Sequence, residues 1–84
     1  MRNVKDVIGA IMGVLDGAEL SRDDVLALKF EADGELLAAL NDAYVKLLEF
    51  AHDRERRLED RRLDDSERIA LQHIMNEIVR LSDK

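Results

Sequence analysis

The run Val25-Leu26-Ala27-Leu28-Lys29-Phe30-Glu31-Ala32-Asp33-Gly34-Glu35-Leu36-Leu37 decides how this chain is divided into helices. Asp33-Gly34 is a common turn signal. Yet the apolar positions Leu26, Phe30, Leu37, Leu40, Tyr44, Leu47 and Ala51 pass through it in helical phase, with Asp33 the one defect. A turn ordinarily resets that phase, so the spacing predicts one long helix over about 22–62, with a kink or break at Asp33-Gly34 as the alternative. A second seam runs beside the first through Val25, Leu28, Ala32, Leu36, Ala39, Ala43 and Phe50. Its alanines invite a close neighbour, and two seams imply neighbours on two sides.

Upstream, Val4, Val7, Ile8, Ile11, Met12 and Leu15 mark an amphipathic helix over about 4–16, with Asn3 as its expected cap. Gly17 is the expected stop, because glycine takes the left-handed conformation without a Cβ clash. Gly9 and Gly13 recur one turn apart inside that helix, where each costs about 1 kcal/mol relative to alanine. Such a pair suggests close packing of another helix on this ridge. The second helix opens at Ser21, whose spacing to Asp24 is that of a capping box. Downstream, Asp64-Asp65-Ser66-Glu67 combines cap candidates with an acidic first turn, predicting a last helix over about 66–82. Leu71, Ile74, Ile78 and Leu81 give that helix its stripe at 3-4-3 spacing.

The fold class expected is therefore all-α: a short helix, a long central one and a C-terminal one in a single antiparallel bundle. Length then bears on stoichiometry. A helix over 22–62 is about 60 Å long, whereas a compact domain of 84 residues is about 30 Å across. Two short helices cannot cover both seams of such a rod. Homodimerisation is the expected remedy, with Leu26, Phe30, Leu37, Leu40, Tyr44 and Leu47 as the oligomer core.

Composition removes other classes. The chain has no cysteine and no proline, so disulfide frameworks, thiolate metal sites and thiol nucleophiles are excluded. Thirteen basic against nineteen acidic residues leave a net charge of −6, the wrong sign for a phosphate backbone. No nucleic-acid partner is expected. A helix-turn-helix around Asp33-Gly34 fails on chemistry as well, because Glu35-Leu36-Leu37-Ala38-Ala39 offers no side chain that reads bases. The longest apolar stretch is too short to span a bilayer, and only Arg2 and Lys5 flank the first helix, so no membrane partner is expected either. Without a secretory or transit signal, the acidic chain is expected to be cytoplasmic.

Five of the nine arginines fall within residues 54–62. Interleaved acids make much of this run self-compensating through pairs such as Asp53–Arg57 and Asp64–Arg68. Arg54, Arg57, Arg61 and Arg62 remain candidates for docking carboxylates or phosphates of a partner, since a guanidinium binds either in a fork. Arg57 and Arg61, like charges one turn apart, suggest an outside anion or an acid from a second subunit. Glu49 and His52 have the Glu-x-x-His spacing of helical carboxylate metal sites, and they define the alternative reading, a metal-binding protein with its site at a dimer interface. Three aromatics and no triad or phosphate loop point away from catalysis. The function expected is that of a small, non-catalytic, homo-oligomeric interaction module without a cofactor.

Overall fold

The computed structural model describes residues 2–83, which form five helices: α1 (Lys5–Leu15), α2 (Arg22–Leu26), α3 (Gly34–His52), α4 (Arg54–Glu59) and α5 (Arg61–Ser82). The all-α bundle is as expected, but the continuous helix over 22–62 is not. It is broken between Leu26 and Gly34, and again at Asp53 and Asp60. At the first break the turn signal outweighs the periodicity. Asp33 is extended, and Gly34 has φ +62°, a left-handed conformation that strains any side-chain-bearing residue. Phase continuity across the break is a coincidence of spacing. Val25 is fully buried whereas Leu26 is 48% exposed, so the seam through Leu26 is not the buried one there.

The connecting segment is held at both sides. Asn3 and Glu31 form an isolated antiparallel bridge with N···O distances of 2.8 and 3.0 Å, and the Asp6 carboxylate accepts from the Lys29 amide. Asn3 is therefore a bridge residue and not the expected cap; Val4 occupies the start of α1 without a side-chain cap. The Ser21–Asp24 capping box forms in both directions, at 3.0 and 3.1 Å. Gly17 ends α1 as expected, at φ +103°. The Ala18 amide reaches back to the Gly13 carbonyl at 2.9 Å, and the Gly17 amide to the Val14 carbonyl at 3.0 Å. This is the paired closure that a left-handed residue permits.

The last helix begins at Arg61, earlier than residue 66. Asp60 supplies the cap, its carboxylate accepting from the amides of Arg62 and Leu63 at 3.0 and 3.2 Å. Asp64 and Glu67 are thereby left free to make other bonds.

α3 and α5 pack most extensively on one another, with α1 laid across both and α2 against α3. The core takes Val7, Ile11 and Val14 from α1, Val25 from α2, and Leu71, Ile78 and Leu81 from α5. From α3 it takes Leu36, Ala39, Leu40, Ala43, Leu47 and Phe50. The two seams are thus one broad stripe facing the chain's own helices, drawn mainly from the alanine-rich side.

At 19 residues, α3 is about 28 Å long and fits a body of 40 × 23 × 19 Å. The overlong rod does not exist, and with it goes the length argument for a second copy. Leu40 and Leu47, assigned to the oligomer core, are fully buried within the chain. Phe30 and Tyr44 meet at a ring-centroid distance of 5.7 Å and, like Leu37, are half-buried.

Among the described residues no other helix closes on the glycine ridge. A Cβ built at Gly9 meets nothing within 4 Å, and one at Gly13 meets only Ala18 at 4.0 Å. Gly9→Ala is therefore expected to raise stability by about 1 kcal/mol. Gly17→Ala, forced to a positive φ, is expected to lower it by about 1–2 kcal/mol. Thermal unfolding followed by circular dichroism checks both. A destabilised Gly9→Ala would mean that this face is occupied.

Candidate functional site

The most concentrated chemistry lies where α3, α4 and α5 meet. Arg57 of α4 is 3% exposed and is the sole buried charged residue among the described residues. Its guanidinium lies 3.4 Å from the Phe50 ring centroid, an arrangement that sets the cation against the negative face of the ring. Five hydrogen bonds engage its five N–H groups. Nε and Nη2 donate to the Phe50 carbonyl at 3.1 and 2.6 Å. Nη2 and Nη1 donate to the two Glu19 oxygens at 2.8 and 3.2 Å, and Nη1 donates to Asp64 at 2.9 Å. A lysine could not serve this many acceptors in a plane.

Arg68 of α5 completes the cluster. It donates to Asp64 at 2.9 Å and Glu19 at 3.2 Å, and to the Val14 carbonyl. Its guanidinium lies 5.0 Å from the Phe50 ring centroid. Both arginines thus meet carbonyls near helix C-termini, Arg57 that of α3 and Arg68 that of α1, where positive charge complements the helix dipole.

These contacts set the charge states. The hydrogen bond from Arg57 holds the Glu19 carboxyl below its ordinary value, against the opposing effect of burial and with help from the charges of Arg57, Arg68 and Arg54. Asp64 is lowered first by its hydrogen bond from Arg68, then by that from Arg57. For Arg57 burial is the largest effect and pulls downward, but its bonds to Glu19 and Asp64 outweigh it, and the net shift is upward.

Glu67 behaves oppositely. Burial, then a hydrogen bond with Asp53 and the charge of Asp53, push it up to about 7, Arg57 opposing. Its Oε2 lies 3.3 Å from Arg57 Nε, yet it is buried without a hydrogen-bond partner, because the Nε proton is directed at the Phe50 carbonyl.

The partner surface expected at Arg54, Arg57, Arg61 and Arg62 is divided by this arrangement. Arg57 is withdrawn into the protein, while Arg54, Arg61 and Arg62 stay exposed. In place of the outside or intersubunit anion expected for Arg57, its acid is Glu19 of its own chain, distant in sequence and invisible to any local pattern. The acid-rich run at Asp64–Glu67 was a signal for the rest, but its spacing also suits a cap, and the two readings are not separable from sequence.

On the solvent side of α4, Leu58 is 73% exposed. Beside it lie two contiguous hollows that share Ala51 and His52. One, of about 660 Å³, is lined by Arg22, Leu48, Glu49 and Asp53 as well. The other, of about 650 Å³, adds Arg54, Glu55, Arg56 and Leu58. Glu49 and His52, the alternative metal pair, are both exposed, and Glu49 pairs with Lys46 at 3.3 Å. No group of three or more potential ligands gathers among the described residues. No helix among them is long and apolar enough to cross a membrane. Comparison with protein-family models, with curated proteins and with solved structures finds no match to this chain.

Proposed function

We propose that this chain is a cytoplasmic, non-catalytic protein–protein interaction module that pairs with a second copy of itself through α4 and the adjoining end of α3. The observation that carries this reading is Leu58, 73% exposed on a short helix whose preceding residue, Arg57, fastens it to the core. An apolar side chain on a rigid support costs little entropy to bury on binding.

A twofold contact must be self-complementary, and this face has the required pieces side by side. Leu58 stands next to a hollow floored by Leu48 and Ala51. The cation Arg54 lines the hollow with Leu58, the exposed Arg61 and Arg62 follow α4 along the chain, and the acid Glu49 is on the rim. Leu58 of one copy would enter the hollow of the other, its arginines approaching the opposed acid. The ionisable group displaced furthest toward neutrality, Glu67, faces Asp53 and Arg57 inside the junction, which favours a structural role over catalysis.

Sedimentation of the full chain across a wide range of concentration tests the proposal. The expected result is a mass rising from 9.6 kDa towards twice that value. Leu58→Glu should abolish the rise without changing the melting temperature, since Leu58 is outside the core. A monomer at every concentration, or association indifferent to Leu58→Glu, would overturn it.

A further inference from the structure

We propose that the groove of α1 and α3 that α5 fills is also the docking surface for α5 of a second copy, with Asp60 as the hinge of that exchange. The inference does not rest on the Leu58 contact, which leaves α5 in its own chain. It begins at the two breaks after α3. At Asp53 the helical bonding runs on: the Asp53 amide donates to the Glu49 carbonyl at 2.9 Å, and the Arg57 amide to the Asp53 carbonyl at 2.8 Å. With φ −87° and ψ 10°, Asp53 bends the helix without ending its bonding. Asp60 is different. It is extended, with φ −131° and ψ 98°, and it alone separates α4 from α5.

Backbone preference does not require that break. Residues 53–64 hold no glycine, proline or β-branched residue, and arginine, glutamate and leucine are good helix formers. What maintains the bend is side-chain chemistry across it. The Asp60 carboxylate takes the amides of Arg62 and Leu63, which a continuous helix would give to the Leu58 and Glu59 carbonyls. Arg57 reaches Asp64 at 2.9 Å, whereas residues so spaced along a straight helix are about 10 Å apart. α4 buries no apolar side chain of its own, only Arg57. Polar bonds therefore hold the closed form at this point.

Turning Asp60 helical joins α5 to α4 in line and carries α5 out of its own bundle. Leu71, Ile78 and Leu81, buried there, then need the same groove elsewhere, and a second opened copy offers it. Each body of the pair consists of α1–α4 from one chain and α5 from the other. Arg57 and Glu19 stay together, and their bonds to Asp64 and Arg68 re-form between chains. So do the bonds that tie α5 to α1, from Arg68 to the Val14 carbonyl and from Arg2 to the Ser82 carbonyl. With the contacts alike in both forms, the hinge and the concentration choose between them. The Asp60 cap favours the closed monomer; the backbone bonds gained through residue 60 and mass action favour the exchanged pair.

Refolding the full chain from denaturant at low and at high protein concentration tests this. The concentrated sample is expected to yield a dimer of twice 9.6 kDa that reverts slowly on dilution, because α5 must leave one core to regain the other. A face contact dissociates at once. Asp60→Ala removes the cap, a loss that shifts an equilibrium about fivefold, and since both chains open, the association constant should rise about 25-fold. Asp60→Asn, which caps equally well, should match wild type. In a dimer refolded from mixed isotope-labelled and unlabelled chains, nuclear Overhauser contacts between α1 and α5 methyls should appear between chains. Contacts confined within chains, an Asp60→Ala dimer no more abundant than wild type, or a monomer after refolding at every concentration would overturn the proposal. The first two results leave the Leu58 contact untouched. Should Asp60→Ala fail to fold, the labelled wild-type dimer still decides it.

Discussion

Replacing Arg57 by alanine is expected to lower folding stability by about 3–5 kcal/mol, the range for removing one partner of a buried ion pair. A domain of this length has roughly 4–13 kcal/mol to lose, so the variant should lie close to unfolding at room temperature. The loss has three sources. Glu19 and Asp64 keep their charges but lose their principal partner. The Phe50 carbonyl loses both donors that satisfy it. The Phe50 ring loses the cation resting on it.

Arg57→Lys should recover only part of the deficit, since an ammonium cannot form the planar fork to Glu19 while also reaching Asp64 and the carbonyl. Arg61→Ala, by contrast, removes an exposed arginine and should change stability by no more than about 0.5 kcal/mol. Urea denaturation followed by circular dichroism separates these cases, and an Arg57→Ala variant within about 1 kcal/mol of wild type would show that the cluster is decoration. Acid sensitivity gives a second reading. Because Arg57 helps to lower both Glu19 and Asp64, its removal should flatten the loss of stability at low pH.

Phe50→Ala should be of similar severity, about 3–5 kcal/mol for a large buried aromatic. Phe50 is fully buried and stands where the apolar stripe of α3 meets the ionic junction. Its truncation opens a cavity in the core and leaves the guanidiniums of Arg57 and Arg68 without a ring to lie against. Phe50→Leu restores most of the volume but not the ring face, and should still cost about 1–2 kcal/mol. The two sites are in direct contact, so their effects will not add. The double variant Phe50→Ala/Arg57→Ala should be less damaging than the sum of the single losses by about 1 kcal/mol or more. Strict additivity would mean that ring and cation do not interact.

The glycine and capping signals show how far local chemistry carries. Gly17 stops α1 and the Ser21–Asp24 box opens α2, because each depends on atoms within a few residues of one another and on nothing else. The apolar stripes of α1 and α5 were legible for the same reason: helical periodicity says which side is buried without saying against what. Where two local signals competed, one of them misled. The register through Leu26 and Phe30 argued for continuity, Asp33-Gly34 for a break, and the break prevailed because the segment gains partners elsewhere, Asn3 for Glu31 and Asp6 for Lys29. At Asp60 and Asp64 two caps were open to the chain; Asp60 took the role, and Asp64 was drawn to Arg57 and Arg68.

By itself the sequence determined that the chain is all-α, where α1 ends, which faces of α1 and α5 are apolar, and that thiol chemistry is absent. Only the tertiary structure decided that α3 serves its own chain's core, that Arg57 is buried against Glu19 and Asp64, and that Glu67 lies beside Arg57 with a buried oxygen left without a hydrogen bond. The physical reason is range. Periodicity, caps and turns are fixed by neighbours along the chain, whereas a buried guanidinium is chosen by acceptors such as Glu19, 38 residues away, which become its neighbours only after the bundle has closed.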